Sequence, residues 1–131
     1  MRVAKEDVDV RMELPGVVIR QRKDFGDVSG FDKISGEYFS LAAGVDTTPL
    51  FVGLEGDLCQ CPHWGFVLSG ELTTTDASGA QETVAANDLF YWAPGHNVRV
   101  NANAEIVMFS PQREHTRVID HMRRKVSEAQ P

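Results

Sequence analysis

Cys59-Gln60-Cys61-Pro62-His63-Trp64-Gly65-Phe66-Val67-Leu68-Ser69-Gly70-Glu71-Leu72 places two thiols and an imidazole at positions i, i+2 and i+4 of a segment that reads as a β-strand. Side chains two apart on a strand share a face. If this strand lies in a small β-barrel, Cys59, Cys61 and His63 point into it together, and the aromatic and aliphatic residues that follow provide its walls. Thiolate sulfur with imidazole nitrogen is a donor set for a soft or borderline metal. This segment is the only concentrated chemistry in the chain.

Short β-type segments flank it on both sides. Residues 8–14 alternate apolar Val8, Val10, Met12 and Leu14 with polar Asp9, Arg11 and Glu13, the period-2 pattern of a half-buried strand. Pro15-Gly16 turns the chain into a β-branched second strand over residues 17–22, ended by Gly26 and Gly30. Residues 37–41 read as a third strand and residues 51–54 as a weaker one. Asp76-Ala77-Ser78-Gly79 is a hairpin loop between residues 72–75 and 81–84. Residues 89–92, 96–100 and 105–110 complete the set. Many short strands separated by Gly, Pro and Asn predict an all-β barrel of jelly-roll type over about residues 8–110.

Only the tail is helical. Residues 112–127 place Val118, Met122 and Val126 at four-residue intervals with Ile119 beside them, which predicts one helix packed outside the barrel. Ser110 is its expected N-cap, with Pro111 at the first helical position. His115 and His121 read as solvated helix residues, since no acid or Cys pattern surrounds them.

A length of 131 residues suits one domain, residues 1–131, able to bury roughly two-thirds of the surface its unfolded form exposes. Thirteen basic against nineteen acidic side chains give a formal charge of −6. Such a surface repels phosphate backbones and argues against nucleic-acid binding. No apolar run is long enough to cross a bilayer, and the acids at Glu6 and Asp7 interrupt the segment in which a signal peptide would need continuous apolar residues. A cytoplasmic, reduced chain is the expectation. Residues two apart on an extended strand sit about 6.6 Å apart at Cα, near the upper limit for a disulfide, so Cys59 and Cys61 are expected as free thiols.

Two segments together resemble the paired motifs of the cupin superfamily, and most resemble its small single-domain bacterial members. They are Cys61-Pro62-His63-Trp64-Gly65-Phe66-Val67-Leu68-Ser69-Gly70-Glu71 and Asn87-Asp88-Leu89-Phe90-Tyr91-Trp92-Ala93-Pro94-Gly95-His96. The resemblance implies a cupin, or RmlC-like, jelly roll with a metal site in the barrel. When the motif is anchored on Gly70, the family's metal-binding Glu falls on His63. Its paired histidines fall on Asp57 and Cys59 with the shorter spacing, or on Gly56 and Leu58 with the longer. In the second motif Asn87-Asp88 replaces Gly-Asp, Ala93 and Gly95 occupy the Pro-x-Gly positions, and the usual His becomes Val98. Pro94 and His96 stand close by. The ligand set is therefore non-standard.

Cys59, Cys61, His63 and His96 are the candidate metal ligands. On a straight strand Cys59 and His63 lie about 13 Å apart, too far to share an ion with bonds of about 2.0 to 2.3 Å. Convergence of all four needs a bend at Pro62; without it the expected triple is Cys61, His63 and His96. Zinc is the first expectation for the cofactor, with iron or nickel also compatible. No acid stands out as a general base. Two function classes remain: a small metal-dependent enzyme acting on a small organic molecule in the barrel, or a non-catalytic cavity that binds or senses a ligand without metal. Cupins commonly pair, and the first two strands present edges that an isolated barrel must cover, so a homodimer is expected.

Overall fold

The computed structural model describes residues 1–26 and 32–129; Gly30, expected to help end the second strand, lies outside the described residues. Seven strands, β1 (Val10–Leu14), β2 (Val17–Arg22), β3 (Ile34–Leu41), β4 (His63–Asp76), β5 (Gln81–Ala85), β6 (Leu89–Trp92) and β7 (His96–Pro111), are joined by a four-residue helix α1 (Thr48–Phe51) and followed by an 18-residue helix α2 (Gln112–Ala129). The sheet is antiparallel, in the order β1-β2-β3-β7-β4-β5, with β6 also paired to β4.

Two long strands organise it. β4 and β7 pair from Trp64 opposite Phe109 to Asp76 opposite His96. The free edge of β4 takes β6 along its first half, His63 opposite Trp92, and β5 along its second, Glu71 opposite Ala85. Between these halves the register of β4 against β7 shifts three times, at residues 67–72. Bulges of this kind bend a strand and raise its twist. Gly70 sits in the bend at φ +88°, and a Cβ there would lie 2.1 Å from the Asn103 carbonyl oxygen. Only glycine permits that approach. The bend curls the sheet into a jelly roll that is not closed, and α2 completes the wall of its interior through Val118 and Met122.

The inward-facing side chains are Met12, Val17, Ile19, Phe39, Val67, Leu72, Val98, Val100, Ile106 and Met108, joined by Val118, Ile119 and Met122 from α2. Among the described residues, no helix is long and apolar enough to cross a membrane.

Several sequence expectations are corrected. Strand β1 starts at Val10, not Val8, and its alternation fails at Val10, which is exposed while Met12 is buried. The register explains this: Val10 faces Arg20 and Met12 faces Ile19, so Arg11 is an extra residue in a bulge. Residues 51–54 are not a strand; Pro49 near the start of α1 favours a helical turn there. Residues 96–100 and 105–110 belong to one continuous β7. The strand expected from Cys59 begins only at His63. Ser110 and Pro111 do not cap α2 but are the last residues of β7, and the backbone N–H of Gln112 donates to the Lys33 carbonyl instead.

Candidate metal centre in the barrel

Cys59 precedes β4 and is held by backbone pairing across the barrel. Its N–H donates to the His96 carbonyl at 2.8 Å, and its own carbonyl accepts from Gly95 N–H at 2.8 Å. The chain then turns at Cys61 and Pro62 before entering β4 at His63. That turn folds Cys59 back, so its Sγ lies 3.6 Å from His63 Nε2 instead of the distance a straight strand imposes. The ligating atoms of Cys59, His63 and His96 all lie within 4.8 Å of one another, and all three residues are buried. Cys61 is not part of this group. Its Sγ lies 3.4 Å from the Pro62 carbonyl and 3.9 Å from that of Pro111.

A second group shares His63: Glu37 from β3 and His115 from α2, again with ligating atoms within 4.8 Å. Glu37 was missed in the sequence, and the reading of His115 as solvated is wrong: it is 2% exposed and pairs with the Glu37 carboxylate. His121 is half-buried, and its Nε2 meets the Val52 carbonyl at 2.8 Å.

The hydrogen bonds distinguish the two groups. Glu37 is surrounded by donors only: Ser110 Oγ at 2.6 Å on Oε1, and Ser35 Oγ at 3.1 Å, Gln21 Nε2 at 3.4 Å and His115 Nδ1 on Oε2. A carboxylate accepts all four. Because Ser110 spends its single hydroxyl proton on Glu37, its oxygen must accept from His63 Nδ1, 2.7 Å away. His63 is thereby fixed as the Nδ1–H tautomer, with its lone pair on Nε2 facing Cys59. His96 reaches the same state by another route, since its Nδ1 lies 2.7 Å from the Ala93 carbonyl, which can only accept. Two imidazoles with oriented Nδ1–H bonds and free Nε2 lone pairs are what a metal requires of histidine ligands.

The site is dry. Burial, with the nearby His115 and His96 after it, holds His63 well below the ordinary histidine range. Burial likewise lowers His96, against the pull of the Ala93 carbonyl. The Cys59 thiol is pushed up to about 12 by burial, with the Glu37 charge adding to it, and Cys61 is raised for the same first cause. Both cysteines are free thiols. Neutral imidazoles are ready to bind a cation, whereas the thiol gives up its proton only to one.

The donor chemistry fits a transition metal. Bonds of about 2.3 Å to sulfur and 2.0 Å to nitrogen at a tetrahedral angle put the two donors about 3.5 Å apart, close to the Cys59–His63 separation of 3.6 Å. The group opens on a cavity of about 50 Å³ lined by apolar side chains, Ile19, Phe39, Val98, Val100 and Ile106 among them, together with Trp92. Trp92 stacks on Phe90 at 4.2 Å between ring centres and lies near both His63 and His96.

No family model and no curated protein matches the sequence. Solved structures do match the fold. The Bacillus subtilis oxalate decarboxylase, studied for its Mn(II) centres, superposes with TM-score 0.57 at 18% identity over 82% of this chain and 28% of its own. The chain thus spans less than a third of that relative. The polyketide cyclase RemF from Streptomyces resistomycificus gives TM-score 0.57 at 19% identity, covering 85% of this chain and 78% of its own. An RmlC-like cupin from Shewanella frigidimarina gives 0.56 at 15%, covering 87% and 93%. Identities this low carry the fold alone, and on that ground the chain shares the jelly-roll fold of an RmlC-like cupin.

Proposed function

We propose that this chain is a small cupin-barrel protein that holds one divalent transition metal, zinc in the first place, on Cys59, His63 and His96, and that a small molecule binds beside it in the barrel. The supporting observation is the tautomer of the two histidines: each keeps its proton on Nδ1 in a fixed hydrogen bond and leaves Nε2 free. Three protein donors leave one position of a tetrahedral ion open. When bound, the ion supplies Lewis acidity toward an oxygen atom in that position. Ser110 and Glu37 keep His63 oriented, Ala93 does the same for His96, and the aliphatic walls from β7 exclude water. The metal-dependent precedent lies in the decarboxylase with its Mn(II) centres. Thiolate in the donor set favours zinc over manganese here.

The non-catalytic reading has one specific support, the size of the cavity. At about 50 Å³ it is far below the roughly 300–1,000 Å³ of pockets for drug-sized ligands, so it suits binding or sensing of a very small molecule better than turnover of a large one. The test of the metal reading is elemental analysis and zinc titration of the purified chain beside two variants. Cys59→Ser is expected to weaken zinc binding by at least about tenfold, because it removes a ligand, while Cys61→Ser leaves it within about twofold. Zinc lost equally from both, or absent from the parent, would refute the assignment.

We also propose a homodimer. Of the two strands expected to present edges, β2 is paired on both sides and β1 remains open; β5 ends the sheet at its other side. A second surface is available on the outer face of β6, β4 and β7, where Leu89, Tyr91, Trp64 and Phe109 are 83%, 50%, 49% and 43% exposed on neighbouring strands. Contiguous exposed aromatics of this kind mark association surfaces. Sedimentation at micromolar concentration should show twice the 14.5 kDa chain mass; a single 14.5 kDa species would count against the dimer.

A further inference from the structure

The chain between β3 and β4 is fastened to the barrel at two points that lie close together. Thr47 N–H donates to the Val98 carbonyl at 3.0 Å, and Thr47 Oγ1 accepts from Val98 N–H at 2.8 Å. Cys59 pairs with His96, two residues earlier on β7. Residues 48–58 run between these points as a loop with neighbouring ends, the form of an Ω-loop. Its turns are closed from within: Leu54 N–H donates to the Phe51 carbonyl, Asp57 N–H to the Leu54 carbonyl and Gly53 N–H to Asp57 Oδ1. Among the described residues, no backbone-to-backbone hydrogen bond joins residues 48–58 to the strands or to α2. Beyond the bonds to their own flanking residues Asp46, Thr47 and Gln60, two contacts hold them. Asn97 Nδ2 meets Thr48 Oγ1 at 3.3 Å, and His121 Nε2 meets the Val52 carbonyl at 2.8 Å.

This weakly tied loop is nonetheless a wall of the barrel. Leu50 and the buried Phe51 line the same cavity as Cys59, His63 and His96. Those three residues are buried, so an occupant reaches them only when a wall moves. The other walls are held more firmly. The strands are paired along the sheet, and α2 is tied down by His115 on Glu37 and by Arg11 on Asp120. Segments with few buried side chains and few hydrogen bonds to the body of a protein open first, well below the free energy of global unfolding. The His121 contact is built for the closed state. A carbonyl can only accept, so His121 Nε2 carries the proton. Gly53, at φ +100°, lets the imidazole come this near: a Cβ there would lie 3.1 Å from His121 Cε1.

We propose that residues 48–58 are a strap that swings as a unit on Thr47 and Cys59, with Phe51 as its plug and His121 as its latch, and that this opening admits occupants to the barrel. Cys59 stands at the root of the strap, so opening uncovers a thiol that the closed barrel hides. The strap serves any occupant and does not depend on the metal assignment. A latch of this kind speeds or slows uptake and release together and leaves the affinity of the closed state unchanged.

The experiment is alkylation of the full, zinc-free chain by iodoacetamide, followed by mass spectrometry. Cys61→Ser is made throughout, so that Cys59 is the one thiol that reacts. In this parent the rate should stay nearly flat in urea below the unfolding transition, because opening a strap exposes little surface, whereas labelling through global unfolding rises with the full equilibrium slope. Adding His121→Ala removes one hydrogen bond and should raise the rate about three- to tenfold. Adding Phe51→Ala removes the plug and should raise it about tenfold or more. Both increases should keep the flat urea dependence. A parent rate that climbs with the global slope, or a rate that neither substitution changes, would overturn the strap. With zinc bound, His121→Ala should speed release to a chelator by the same factor as it speeds labelling. A chain that takes up no zinc would overturn the metal assignment, and the labelling rates would still decide the strap.

Discussion

Glu37→Ala is expected to lower the unfolding free energy by about 3–5 kcal/mol, the range seen when one partner of a buried ion pair is removed. The whole stability of a domain is about 5–15 kcal/mol, so the variant stands near the limit of folding. The size follows from the surroundings of the carboxylate. Glu37 is 1% exposed, and Gln21, Ser35, Ser110 and His115 all direct donors at it while being 2% exposed or less themselves. Deleting the acceptor strands the buried Ser110 hydroxyl and His115 Nδ1, and leaves Gln21 and Ser35 only their longer contacts to Thr116 Oγ1 at 3.4 Å and the Ser110 carbonyl at 3.5 Å, which is worse than never having built the network. Glu37→Gln retains one acceptor oxygen but turns an N–H₂ toward groups that also donate, and a loss of about 1–3 kcal/mol is expected. Urea unfolding followed by tryptophan fluorescence measures both. A change under 1 kcal/mol for Glu37→Ala would mean that the cluster does not support the fold.

The same cluster shows where the sequence was legible and where it was not. The period-2 strands could be read because burial on one face writes itself into every second residue: residues 17–22 and 89–92 are strands with the expected bounds. The helix could be read for the corresponding reason at period 3.6. A buried polar residue breaks those codes. Glu37 shares inward parity with Ser35 and Phe39 on β3, yet the run Ser35-Gly36-Glu37 carries too little apolar signal to reveal which side faces in. His115 was more accessible to inference. It lies three, four and seven residues before Val118, Ile119 and Met122, on the apolar stripe of α2, and that placement outweighs the absence of neighbouring acids in sequence. Its acid partner is 78 residues away.

Which of the two candidate cysteines approaches the imidazoles turns on geometry outside the strand. Strand arithmetic applies only within a strand, and β4 starts at His63, so the spacing of Cys59 was set by the turn at Cys61-Pro62 and by its backbone bridge to His96. The bend considered at Pro62 brings Cys59 to the imidazoles and turns Cys61 toward backbone carbonyls. Ser110 illustrates the same limit at the other end of β7. Its hydroxyl was equally suited to capping α2, and only the long-range approach of Glu37 and His63 decides its partner.

His63→Ala is expected to lower zinc affinity by about 100- to 1,000-fold, the largest change of any single substitution at the proposed centre. The binding free energy of four-ligand zinc sites is about 10–16 kcal/mol, so one ligand accounts for about 2.5–4 kcal/mol, and each 1.4 kcal/mol is a factor of ten. His63 is also the residue on which the other donors converge: its Nε2 faces Cys59, its ring centre is 5.3 Å from that of His96, and its Nδ1 receives the orientation passed from Glu37 through Ser110. Without it, Cys59 and His96 alone give two donors, too few to hold a zinc ion against water or a chelator. His121→Ala, at a half-buried imidazole bonded to the Val52 carbonyl, should leave affinity unchanged. Circular dichroism of both variants separates loss of metal from loss of fold. Elemental analysis after removal of loosely bound ions should give one zinc per chain in the parent and in His121→Ala, and almost none in His63→Ala. Equal zinc in all three would make Cys59, His63 and His96 packing groups of an apolar barrel.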